Sequence, residues 1–258
     1  SLLTRLYYQM LLLPGYQANP GGGQVEWGHP LDEDWARYLR GRLEAVKLSH
    51  RAGIKADETL DRVYGVATLR LRYEQDTREP ATGMPRQGSR QSYGVEAGYA
   101  GGPMLDFEAL RDQYRPLSET LTWRLYALAN MMPYTRDMVP INERQFLGGN
   151  ADMRGFAYRG AGYFDLKDNE VPIGGAAKIL IKNELIRPLY GPISGVLFAD
   201  VGMLGESPVN WQMPRVSTGV GLRFDMKQMQ VGLDLAAPLV KQGNDQTRFF
   251  HFSLESRF

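Results

Sequence analysis

From Tyr93 to the end of the chain, apolar residues recur at every second position, with turn residues between the segments, which is the signature of antiparallel strands. Met229, Val231, Leu233, Leu235, Ala237 and Leu239 share one face, while Gln230, Gly232, Asp234 and Ala236 share the other. Val216, Thr218, Val220, Leu222, Phe224 and Met226 repeat this against Ser217, Gly219, Gly221, Arg223 and Asp225. Leu121, Trp123, Leu125, Ala127, Ala129 and Met131 alternate with Thr122, Arg124, Tyr126 and Asn130. Earlier in the chain, Val63, Gly65, Ala67, Leu69, Leu71 and Tyr73 form another such face. Weaker strand candidates run over 2–12, 24–30, 35–49 and 104–114, the third of which also fits an amphipathic helix. The total is about twelve strands, several near the ~9 to 11 residues that cross a bilayer when tilted.

A soluble β-sandwich and a transmembrane barrel share this periodicity, because both leave each strand with one apolar face. Two features favour the barrel. The less apolar face is rich in glycine and charge, and Tyr73, Trp123, Tyr134, Tyr190 and Trp211 gather near segment ends as interfacial girdles would. A patterned segment also runs to the last residue: Phe250, Phe252, Leu254 and Phe258 lie on one face of 249–258, as expected of a closing strand. The predicted fold is therefore all-β, a single antiparallel transmembrane barrel domain over residues 1–258.

Composition narrows the function classes. The 258 residues are 43% hydrophobic, which excludes general disorder, and 30 basic against 29 acidic side chains give no field that would recruit nucleic acid. The absence of cysteine removes disulfides, thiolate metal sites and cysteine nucleophiles. No apolar run reaches the ~18 residues of a membrane helix, and the segment from Met10 to Leu13 is cut short by Pro14. The start at Ser1 has no basic region or cleavage site and reads as a mature or truncated end. His29, His50 and His251 are dispersed, with no metal-ligand spacing, and no nucleophile elbow is present. Gly21 to Gly23 and the Gly219, Gly221 pair lack the context of a phosphate cradle and read as turn and strand-packing glycines. Glu26, Asp32, Glu33 and Asp34 read as a solvated acidic loop. Neither a catalytic group nor a cofactor is expected.

One segment carries chemistry. Residues 145–156 are glycine-rich and hold a single cation, Arg154, between two strand-like stretches. Downstream, Asp200 shares parity with Val196 and Phe198 and opposes Leu197, Ala199 and Val201, so an apolar outer face would turn its carboxylate inward. Glu184 shares parity with Lys178 and Lys182. Arginine suits an internal contact with carboxylates, because its planar fork makes two parallel hydrogen bonds and stays charged. An unremarkable pair of lumen charges is the alternative.

Five linked motifs carry a family likeness. They are Phe146, Leu147, Gly148 and Gly149 followed by Met153, Arg154, Gly155 and Phe156; Gly174 and Gly175 leading to Asn183, Glu184 and Leu185; Phe198, Asp200 and Gly202; Ser217, Gly219 and Gly221; and a terminal Phe258. In this order they resemble the BamA/TamA superfamily of outer-membrane insertases and two-partner-secretion transporters. The likeness is best over residues 93–258, and Asp76, Arg78 and Pro80 extend it upstream. It implies a sixteen-strand barrel preceded by POTRA domains, of which about twelve strands and no POTRA domain are visible here.

The resemblance further implies that the loop bearing Met153, Arg154, Gly155 and Phe156, turned by Gly148 and Gly149, folds into the barrel. There Arg154 would latch onto Asp200 and Glu184, beside Phe198 and Gly202. It implies a seam at Phe250, Phe252, Leu254 and Phe258 that opens to client proteins without ATP; a plain closing strand is the simpler reading. The implied partners are outer-membrane lipid, unfolded membrane or secreted client proteins and accessory subunits. The implied location is the outer membrane of a Gram-negative-type bacterium, or alternatively an organelle's outer envelope. Within that frame the chain is an insertase, a secretion transporter or a passive anchor for another domain or subunit.

Overall fold

The computed structural model describes residues 1–50, 61–80, 84–165, 171–226 and 229–256. Its strands are β1 (Leu2–Tyr8), β2 (Leu11–Leu13), β3 (Tyr16–Pro30), β4 (Trp35–His50), β5 (Arg62–Asp76), β6 (Gly88–Ala100), β7 (Pro103–Pro116) and β8 (Thr122–Met131). They continue as β9 (Gly155–Phe156), β10 (Ala177–Tyr190), β11 (Ile193–Ser207), β12 (Asn210–Trp211), β13 (Arg215–Met226), β14 (Met229–Val240), β15 (Thr247–Arg248) and β16 (Phe250–Ser256).

Fourteen of them form one antiparallel sheet, in which twelve follow one another from β1 through β3 to β16 and the short β2 and β12 attach to β3 and β11. The remaining β9 and β15 pair with each other. Among the described residues β1 and β16 do not pair, so the sheet is a partial barrel with two free edges. Successive strands are linked by antiparallel pairing with their neighbours, which supplies the inter-strand hydrogen bonds that strands in lipid require.

Alternation fixes which side faces where. Leu197, Val220, Leu235, Leu239, Phe252 and Leu254 are each more than half exposed, whereas Phe198, Asp200, Ser217, Arg223, Asp234 and His251 on the opposite parity are buried. An exposed row of large apolar side chains is costly in water and favourable against acyl chains. The inner face is buried because the connection from β8 to β10, described over residues 132–165 and 171–176, folds back into the lumen. Its first part places Met132, Val139, Ile141 and Phe146 against Val46, Leu48, Tyr64, Val66 and Met104 from the early strands. Its middle places Leu147, Met153, Phe156 and Ala161 against Leu180 and Leu204 from β10 and β11. Two of the three buried apolar clusters among the described residues are thus the interface between the sheet and its own loop, and the third, with Tyr114, Ile186, Val196, Phe198 and Ala236, lies on the inner wall itself.

The early chain departs from its sequence pattern in instructive ways. Residues 35–49 form strand, not helix, because both neighbours supply a full antiparallel ladder. Gly21, Gly22 and Gly23 sit within β3 rather than in a turn, paired with Tyr8, Tyr7 and Leu6 of β1. A Cβ on Gly22 would run into the Leu43 carbonyl, so glycine permits a close approach of β3 to β4. Of the acidic residues read as one loop, Glu26 lies on β3 within 3.8 Å of Arg72, while Asp32 caps the β3 to β4 turn by accepting from the Asp34 and Trp35 amides. Tyr134 is not a girdle residue: its hydroxyl accepts from the Leu105 amide and its ring packs on the interior cluster. Tyr190, by contrast, is 83% exposed at a strand end.

Candidate functional site

Arg154 lies at the tip of the inward loop and is 2% exposed. The local sequence aims it there. The Gly149 amide donates to the Met153 carbonyl at 3.1 Å and the Ala161 amide to the Leu147 carbonyl at 3.0 Å, closing a compact turn around the tip. Met153 and Phe156, both fully buried, anchor the flanks in the apolar cluster. Gly155 has φ +88°, a conformation that side chains disfavour, and a Cβ there would lie 3.0 Å from the Ser217 Cβ. The tip can therefore lie flat on β13.

The guanidinium is fully engaged. Nε donates to Asp200 Oδ2 at 2.8 Å and Nη2 to Asp200 Oδ1 at 2.7 Å, a bidentate pair, and the Arg154 amide adds a third bond to Oδ2 at 3.2 Å. Nη1 donates to Glu184 Oε1 at 2.7 Å. The group stacks on Phe198, with Cζ 3.5 Å from the ring centroid. Cross-strand register builds this receptor: Glu184 pairs with Phe198, and Lys182 with Asp200, between β10 and β11. Lys182 faces Asp200 directly, yet its Nζ donates to the Ala151 carbonyl at 2.9 Å, which leaves Asp200 to the arginine. On the floor, a Cβ at Gly202 would come within 2.7 Å of Leu147 and 2.9 Å of the Met153 sulfur, so only glycine leaves room for the loop.

All the residues singled out for the loop and its wall, Gly148, Gly149, Met153, Arg154, Gly155, Phe156, Glu184, Phe198, Asp200 and Gly202, come together in one place. Phe250, Phe252 and Leu254 lie on the outer face of β16, away from the loop tip, and are more than half exposed. Phe258 lies outside the described residues.

The network extends well beyond those residues. Arg124 on β8 donates to Glu184 Oε2 at 3.0 Å and to Asp112 on β7 at 2.7 and 3.2 Å. Arg78 reaches Asp112 at 3.4 Å while pairing with Asp76 at 2.6 Å, so the upstream motif joins the same chain of charges. Arg223 on β13 forms a second bidentate pair with Asp234 on β14, at 2.7 and 3.1 Å, and approaches Glu184 at 3.7 Å. Three arginines thus share one buried glutamate.

A second arginine holds the loop at Gly162, from the wall side. Arg215, fully buried at the start of β13, contacts Asp245 at 3.1 and 3.2 Å and donates to the Gly162 carbonyl at 3.3 Å, while Asp245 accepts from the Gly162 amide. Arg215 has the inward parity of Ser217 and Arg223, and that parity was the available signal. Asp245 sits in an irregular stretch between strands, where no periodicity could place it. Among the described residues no three His, Asp or Glu side chains group as a metal site would need.

A family model described as the Omp85 superfamily domain matches residues 7–258. Among solved structures, BamA from Haemophilus ducreyi lacking POTRA domains 1–3 superposes with a TM-score of 0.79 at 16% identity, over 99% of this chain and 58% of that one. CdiB from Acinetobacter baumannii superposes with a TM-score of 0.64 at 15% identity, over 93% of this chain and 42% of that one. At these identities the likeness is one of fold. The chain spans about half the length of each. No curated protein matches.

Proposed function

The chain belongs to the Omp85 superfamily, and from that premise we propose that it is an outer-membrane barrel that assists insertion or translocation of client proteins through a lateral seam. The observation that carries this reading is the combination of a filled lumen and an unpaired edge. The inward loop places buried side chains and charge pairs across the interior, which favours a lateral route for a polypeptide over an axial one. Among the described residues β1 and β16 each have a strand partner on one side only, and the Asn150 side chain meets the β16 main chain at the Phe252 carbonyl. An exposed strand edge templates another strand, and register pairing needs neither ATP nor a cofactor. In this reading Arg154, seated on Asp200 and Glu184, is an internal latch that keeps the lumen closed and the wall in register while the seam works. Lipid contacts the exposed apolar face; accessory subunits and any domains of the longer relatives would supply client delivery.

The test is reconstitution in liposomes with an unfolded barrel protein as client, together with whatever natural sequence adjoins this segment in the gene. Faster client folding than in empty liposomes is expected. Equal folding rates would overturn the insertion reading, and secretion of a co-expressed partner across the membrane would favour translocation.

A further inference from the structure

The loop tip is bound to the wall, and it is also bound to the last strand. The Gly155 amide donates to His251 Nε2 on β16 at 2.9 Å, both groups buried, and Asn150 Nδ2 donates to the Phe252 carbonyl at 2.6 Å. Just before β16, β15 pairs with β9, setting Thr247 against Phe156 and Arg248 against Gly155. The Ala157 amide donates to the Gln246 carbonyl at 2.9 Å, and the Gln246 amide to the Gly160 carbonyl at 2.7 Å.

His251 differs from the other contacts because its role depends on protonation. To accept from Gly155, Nε2 must be bare and the ring proton must sit on Nδ1. The same nitrogen lies 2.9 Å from the Arg248 carbonyl, which can only accept. Protonated Nε2 can only donate, and it would turn to the Arg248 carbonyl, so the Gly155 amide would lose the imidazole as an acceptor and the two bonds exclude each other. The charged groups facing the ring are Asp234, directly opposite on β14, Arg248 on β15 and Arg154 on the loop.

We propose that neutral His251 is a positioning residue that clasps the loop tip to β16, so that the seam strand and the wall-bound Arg154 move as one unit. This rests on the seam reading above. It assigns the loop a second task, coupling the lumen latch to the edge that a client would meet.

Amide hydrogen exchange on the full chain in lipid tests the clasp directly. In His251→Leu, the protection factor at Gly155 should fall about tenfold, as a buried donor loses its acceptor, while the Arg154 amide, bonded to Asp200, keeps its protection. His251→Gln, whose side-chain oxygen accepts without titrating, should restore Gly155. Acidification should lower the Gly155 protection factor in the natural protein and leave it unchanged in His251→Gln. An unchanged Gly155 in His251→Leu, failure of His251→Gln to restore it, or identical pH profiles for the natural protein and His251→Gln would overturn the clasp. Should His251→Leu fail to fold, the comparison of pH profiles carries the test alone. Client folding in liposomes, run in parallel, separates the readings: the exchange pattern without any client acceleration keeps the clasp and removes the seam function.

Discussion

Arg154 is buried and supplies the bidentate contact of Asp200, and this makes its removal more damaging than the loss of a surface ion pair. In Arg154→Ala, Asp200 keeps no bidentate partner and the Glu184 charge loses its shortest contact. Breaking a buried pair from one side typically costs about 3–5 kcal/mol, because the remaining charge is left without compensation. Denaturant unfolding in lipid vesicles should show a loss of that order, with new trypsin cleavage at Arg159. Arg154→Lys should fall between the natural protein and Arg154→Ala, since an ammonium keeps the charge but loses the fork and the stacking on Phe198. Arg215→Ala should expose the loop near Gly162 to protease while leaving the Arg154 tip protected, because the two anchors hold the loop at separate points through separate acids. Cleavage spreading evenly along the loop would show that the anchors are not separable.

At the scale of elements, small residues on the inner face decide how closely the loop approaches. Gly202→Val would push methyl groups into Leu147 and Met153, and such overpacking costs ~1–3 kcal/mol in a filled interior. The expected signature is a lowered unfolding midpoint with the loop released first, measured by limited proteolysis during a denaturant titration. The late strands were readable because their alternation is uninterrupted: β13 and β14 have apolar outer rows and polar or small inner rows, and the structure keeps those faces. Where glycine replaced the pattern, in the first half of β3, the sequence offered no side chain to read, and close packing against β4 supplied the reason only in three dimensions. The loop and its wall partners were legible through linked motifs and parity, since Glu184 and Asp200 sit on strands. Asp245 and the contact of His251 with the loop were not, because both depend on where an irregular segment crosses the lumen. Arg124, Arg223 and Arg215 had inward parity but nothing in sequence to say which acid each would meet.

For the whole molecule, the exposed apolar row and the polar, loop-filled interior invert the arrangement of a soluble sandwich. The consequence is measurable. The folded chain should need detergent or lipid to stay in solution and should run faster on a gel unheated than boiled, as a compact barrel held by its own sheet does. Solubility of the folded chain without detergent would contradict the lipid-facing assignment of Leu197, Val220, Leu235 and Phe252.

The inward loop has one more consequence, for the order in which the chain can be assembled. Its partners come from both directions: Tyr64 bonds to Asn142, and Arg42 pairs with Glu143 from strands made earlier, while Asp200, Asp245 and His251 are made later. The loop can therefore be fully seated only after strands on both sides of it in the sequence have been made. Because contacts across such long sequence separations delay the rewarding steps of folding, the rate at which β13 to β16 dock should be set by how readily residues 145–165 fold back, and variants that slow that event should accumulate as a half-wound sheet.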